Sequence, residues 1–112
     1  SMITTLGHVP IRGKSGQIYH FQAYAIDTVF DRVGAVYFIT SRNIAKDGRT
    51  AHSRIYCGET SDLSTRASVD DHAASFKQFG ANCICVFLSE DTSFRQSLEE
   101  DIHSNYRLLC TA

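Results

Sequence analysis

A chain of 112 residues supports one domain with a single core and leaves no room for two. Its 43% hydrophobic and 21% charged composition is ordinary for a globular protein, and no apolar run nears the ~20 residues that would span a bilayer. A formal net charge of −1 excludes a protein that coats nucleic acid through bulk electrostatics.

Ser1-Met2 reads as a start methionine behind a cloning remnant, and with no signal peptide in view the expected location is cytoplasmic. Residues 20–26 alternate loosely as a strand does, after a Gly/Ser turn at residues 13–16. Gly34 opens a second strand over residues 35–40, whose unbroken apolar character predicts cover on both faces. The polar stretch 41–53 reads as a long hairpin connection, and residues 54–57 return as the partner strand, ended by Gly58. Ser61 or Asp62 can cap a helix over residues 62–71, and residues 73–79 form a second short helix ended by Gly80.

Residues 81–89 are the clearest strand, and residues 90–93 make a turn and cap. The last helix is predicted over residues 93–108 from Phe94, Leu98, Ile102 and Tyr106, four apart, with Leu109 extending the stripe. At about 100° per residue, Glu99 falls at the edge of that stripe and Glu100 opposite it. This order predicts an α+β fold: a small, antiparallel-rich central sheet flanked by helices. Residues 1–33 form an N-terminal strand extension packed on the module of residues 34–112, in one domain overall.

Cys57, Cys83, Cys85 and Cys110 read mainly as core thiols. Cys83 and Cys85 share a strand face, and zinc binding with His72 or His103 is a weaker reading because no C-x-x-C spacing supports it. Charge is uneven along the chain. Arg42, Lys46, Arg49 and Arg54 cluster as candidate nucleic-acid contacts, whereas residues 90–101 are acidic apart from Arg95.

Tyr37 follows Ala35 and Val36; then come Tyr56-Cys57-Gly58-Glu59-Thr60, Asp62-Leu63, Arg66, His72 and Glu99. This ordered set, over about two-thirds of the chain, resembles the GIY-YIG nucleases, and the C-terminal pattern from Glu99 to Cys110 is similar to a small stand-alone bacterial subgroup. The resemblance implies a metal-dependent endonuclease that hydrolyses phosphodiester bonds with Mg²⁺ or Mn²⁺. It places Tyr37, Tyr56, Arg66, His72 and Glu99 in the catalytic site, with Glu99 as metal ligand. Nucleic acid is the expected partner, DNA ahead of RNA.

Physical chemistry fits those roles. A carboxylate suits a hard divalent cation, and a planar guanidinium suits a non-bridging phosphate oxygen. Tyr37 is the general-base candidate, although a phenol with an ordinary pKa of ~10 needs a neighbour that favours proton loss. His72 is placed to accept that proton or position the phenol, provided the helix ends or bends before it, and Tyr56 to position water or phosphate. Two further readings stand beside this one: a scaffold of the same kind that binds nucleic acid or protein without cutting, and a partner subunit dimerising through an exposed sheet edge.

Overall fold

The computed structural model describes residues 4–65 and 67–110. Five strands make one antiparallel sheet: β1 (Gly7–Arg12), β2 (Ile18–Ala25), β3 (Ala35–Ile44), β4 (Thr50–Thr60) and β5 (Cys83–Leu88), in the order β1-β2-β5-β3-β4. A short 3₁₀ turn (Leu63–Thr65) and two short helices, α1 (Ala67–Asp71) and α2 (Ala73–Gln78), connect β4 to β5. Helix α3 (Thr92–His103) follows β5. The chain is therefore α+β. No described helix is long and apolar enough to cross a membrane.

The central strand β3 carries the logic of the fold. Residues 35–40 are all buried, because alternate side chains enter two separate cores. Val36 and Phe38 join Phe21, Cys57, Cys83, Cys85, Leu98 and Ile102 on the face that α3 covers. Ala35, Tyr37 and Ile39 join Ile55, Tyr56, Phe76 and Ile84 on the face that α2 covers.

Strands β3 and β4 pair in register until Ile39 meets Tyr56; the next pair is Thr40 with Arg54. Ile55 is thus an extra residue, a β-bulge. Its consequence is a change of parity. Ile55 and Tyr56, neighbours in sequence, both pack in the α2-side core. Before the bulge, His52 and Arg54 take the opposite face, in step with Thr40. A bulge also bends its strand, and the far end of the β3–β4 hairpin comes round to β1: Thr50 and His52 line one cavity with residues 6–10.

Several expectations need correction. The stretch 41–53 is not a long connection: both strands run on, and only residues 45–49 turn, with Gly48 at φ 85. Asn82 anchors the extension, accepting from the Arg42 N–H at 2.7 Å and donating to the Arg42 carbonyl at 3.0 Å. Strand β4 does not stop at Gly58 but continues to Thr60, paired with Ala35. Strand β1, absent from the sequence reading, pairs with β2 through all six of its residues. Helix α3 ends at His103 rather than 108, so Tyr106 lies beyond it, its ring 6.5 Å from that of Phe38 and beneath the Arg54 guanidinium at 4.3 Å. Phe94 is 42% exposed, so the apolar stripe is carried by Leu98 and Ile102.

The segment after α3 explains the early helix end. Leu109 and Cys110 donate backbone N–H groups to the carbonyls of Arg54 and Ile55, covering one stretch of the outer edge of β4. Unpaired edge groups invite association with other chains, and here the chain's own C-terminal segment occupies them.

Candidate active site at the Gly58 edge

Strand β4 sits at the sheet edge, so each outward backbone group between Arg54 and Glu59 needs a partner. Beyond the Arg54 and Ile55 carbonyls, helix α3 reaches two more of these groups. His103 Nε2 lies 3.1 Å from the Cys57 carbonyl oxygen, and the Glu99 carboxylate accepts the Glu59 N–H. These two residues are four apart and share a face of α3. Glu99 is half-buried and Glu100 exposed, as the helical angle predicts.

Tyr37 pairs across the sheet with Gly58. Its ring reaches over the glycine: a Cβ there would lie 2.6 Å from the Tyr37 hydroxyl and 3.0 Å from Tyr56 Cε1. The absent side chain at Gly58 is what lets both phenols approach the edge. Their rings are 6.1 Å apart. On the other side of Tyr56 is His72, rings 4.9 Å apart, itself stacked on Phe76 at 5.5 Å.

His72 occupies the break between α1 and α2, as the N-cap position of α2 with φ −109 and ψ 15. The helix therefore does end before it, which is the condition the sequence imposed. Tyr37, Tyr56 and His72 gather on one face, and Glu99 lies on the α3 side, beside Glu59 of β4. Arg66 lies outside the described residues.

The electrostatics at this edge are acidic and partly buried. Burial raises the Glu99 carboxyl above its ordinary value; His103 opposes the shift, the Glu59 carboxylate adds to it, and the Glu59 N–H opposes it. Burial, and then the Glu99 charge, push the Cys57 thiol up. Glu59 is held 3.5 Å from the Nε of Arg95, a guanidinium 2% exposed that also donates to the Ser89 carbonyl and Thr92 Oγ1. In the sequence, Arg95 is the one basic residue in the acidic stretch 90–101. Its spacing from Leu98 and Ile102 was the available sign that it faces the core. From sequence alone Glu59 carries no role of its own, and His103 only that of a zinc ligand.

The four basic candidates divide. Lys46 and Arg49 are exposed in the β3–β4 turn, with Arg49 3.4 Å from Asp47. Arg42 and Arg54 are half-buried, Arg54 against Tyr106.

Glu99 and Glu59 are neighbouring carboxylates in a partly buried place, and the Glu59 carboxylate is already paired with Arg95. No family profile, curated protein or solved structure matches this chain.

Proposed function

We propose that the protein is a metal-dependent nuclease that hydrolyses phosphodiester bonds of nucleic acid at the Gly58 edge. One observation carries the reading: Tyr37 and Tyr56, far apart in sequence, meet over Gly58 of the edge strand, with His72 against Tyr56 and Glu99 beside the adjacent Glu59. A scissile phosphate seated there meets a phenol from each tyrosine and lies near the open end of the α1–α2 break. The Tyr37 phenolate takes a proton from water, whose oxygen forms the new bond to phosphorus. The bond to the leaving sugar oxygen breaks, and that oxygen gains a proton. His72 positions Tyr56 and draws protons from the rim. Arg66, by its place in the sequence pattern, would hold a non-bridging oxygen. Glu99 would hold Mg²⁺ or Mn²⁺, which when bound supplies positive charge for the developing phosphorane.

The decisive comparison is Glu99→Gln beside Tyr37→Phe, assayed on structured and single-stranded DNA and RNA with Mg²⁺ or Mn²⁺. Glutamine still accepts the Glu59 N–H but loses the charge, so the fold stays intact by circular dichroism while cleavage drops. Each change should lower the rate by at least about 100-fold, the lower range for losing a positioned base or electrostatic group. Wild-type rates in Glu99→Gln would remove the metal assignment.

A second reading has its own observation: Glu99 already serves as the cap of β4, a task that requires no catalysis. On that reading the scaffold binds nucleic acid without cutting it. Persistent inactivity, with salt-sensitive binding weakened by neutralising Lys46 and Arg49, would favour it.

A further inference from the structure

The change of parity at Ile55 has placed His52 on the same face as Cys83 and Cys85, with Thr40 of the central strand beside them. The ligand atoms of His52, Cys83 and Cys85 all lie within 4.8 Å of one another. Thr40 Oγ1 is 2.8 Å from His52 Nδ1 and lies close to both thiols. Both cysteines are fully buried, and both thiols are free. Two sulfurs and an imidazole at this spacing suit a small thiophilic cation. Bond lengths of ~2.3 Å to sulfur and ~2.0–2.1 Å to nitrogen put tetrahedral ligands roughly 3.5–3.8 Å apart, a small contraction from the present separation.

The surroundings agree. Arg42 and Arg54 both act on this group of side chains, and the Arg42 Nε is buried without a hydrogen-bond partner. Cations beside a thiol pair favour its thiolate form, the form that binds metal. Two thiolates with one dication are neutral, so the filled site adds no net charge to the core. A route in exists: His52 also lines the cavity of about 320 Å³ between β1 and the end of β4.

We propose that His52, Cys83 and Cys85 bind one Zn²⁺, with the fourth position left to Thr40 or a water from the cavity. The ion would tie β4 to β5 across the central strand and fix the bent half of the sheet. This site is separate from the Gly58 edge and does not depend on the nuclease reading. It also replaces the sequence expectation that His72 or His103 would complete a cysteine site: the ring of His72 lies against Tyr56, and His103 is beside the Cys57 carbonyl.

The test uses the full chain, stripped by a chelator under reducing conditions and titrated with Zn²⁺ against a competing indicator. Co²⁺ then serves as a spectroscopic substitute. The expected result is one equivalent per chain, a thiolate-to-Co²⁺ charge-transfer band with tetrahedral d–d intensity, and a higher Tm with Zn²⁺. His52→Ala and Cys85→Ser should each weaken Zn²⁺ binding by at least about 100-fold, since loss of an outer-shell partner alone commonly costs 10–100-fold. Cys110→Ser, whose thiol is in the other core, should leave binding unchanged. If Cys85→Ser fails to fold, His52→Ala on the half-exposed residue decides the matter alone. No thiolate band in the wild type would overturn the site, leaving a hydrogen-bonded core network. A band that persists in His52→Ala would overturn it too.

Discussion

The two faces of the sheet are built from the same strands and do different things with their aromatic residues. The fully buried aromatic rings under α3 are phenylalanines: Phe21 and Phe38 meet edge-on at 5.6 Å, while Tyr19 and Tyr106 pack only at the margin of that core. The face under α2 buries Tyr37 and Tyr56 beside Phe76 and His72, with the Tyr37 hydroxyl over Gly58 of β4. A ring without a polar atom can be enclosed at no hydrogen-bonding cost, whereas a phenol is best placed where one end stays near water or a ligand. Val36, Tyr37 and Phe38 therefore assign adjacent positions of one strand to stability and to chemistry by turns.

Removing Phe38 should separate the faces most sharply. Phe38→Ala leaves a cavity in the α3-side core and should cost about 3–5 kcal/mol, measured by urea denaturation. Cleavage per folded molecule should change far less than in Tyr37→Phe. Equal losses of stability in the two variants would show that both rings are merely packing.

A smaller stability effect, with the larger consequence for the site, is expected at Gly58. An alanine Cβ would press on the Tyr37 hydroxyl and ring and on Tyr56. Overpacking of this kind costs about 1–3 kcal/mol. The displaced phenol should lose its alignment, so the rate should fall more than stability explains. An unchanged rate in Gly58→Ala would mean that nothing reacts over this glycine.

Much of this contrast was legible in the sequence, for a physical reason. An apolar run as unbroken as residues 35–40 has two faces to bury, and Glu99 follows from helical angle alone. The bulge was not legible. Ile55 carries no glycine or turn signal, and simple alternation assigns His52 to the face of Tyr56, so the approach of His52 to the cysteines was hidden. Strand β1 was obscured by Pro10, which an edge strand tolerates because its missing N–H need not pair. The polar residues 41–53 read as loop because a projecting hairpin, wet on both sides, carries no hydrophobic alternation. The end of α3 at His103 carries no glycine or proline; it follows from the later residues pairing with β4, which no local pattern announces.

The smallest expected effect tests how the N-terminal hairpin joins the α3 side. Asp101 of α3 accepts from the Ser15 N–H at 2.8 Å, the Ser15 hydroxyl at 2.6 Å and the Tyr19 hydroxyl at 2.8 Å. The Ser15 hydroxyl bond, then its N–H, hold the Asp101 carboxyl below its ordinary value. A depressed carboxyl contributes stability that is present above the unfolded value of ~3.9 and is lost as pH falls through the lower folded one. Asp101→Asn should therefore lower Tm at pH 7 by a modest amount, with the gap from wild type closing as the pH drops below 4. Tyr19 shifts the other way, raised by burial first and by Asp101 next, so its contribution fades only as pH rises through its folded value above 10. A gap that stayed constant from pH 7 to pH 2 would mean that the amide disturbs packing near Gly13, where a Cβ would already overlap Asp101, and that the charge itself does not hold the hairpin.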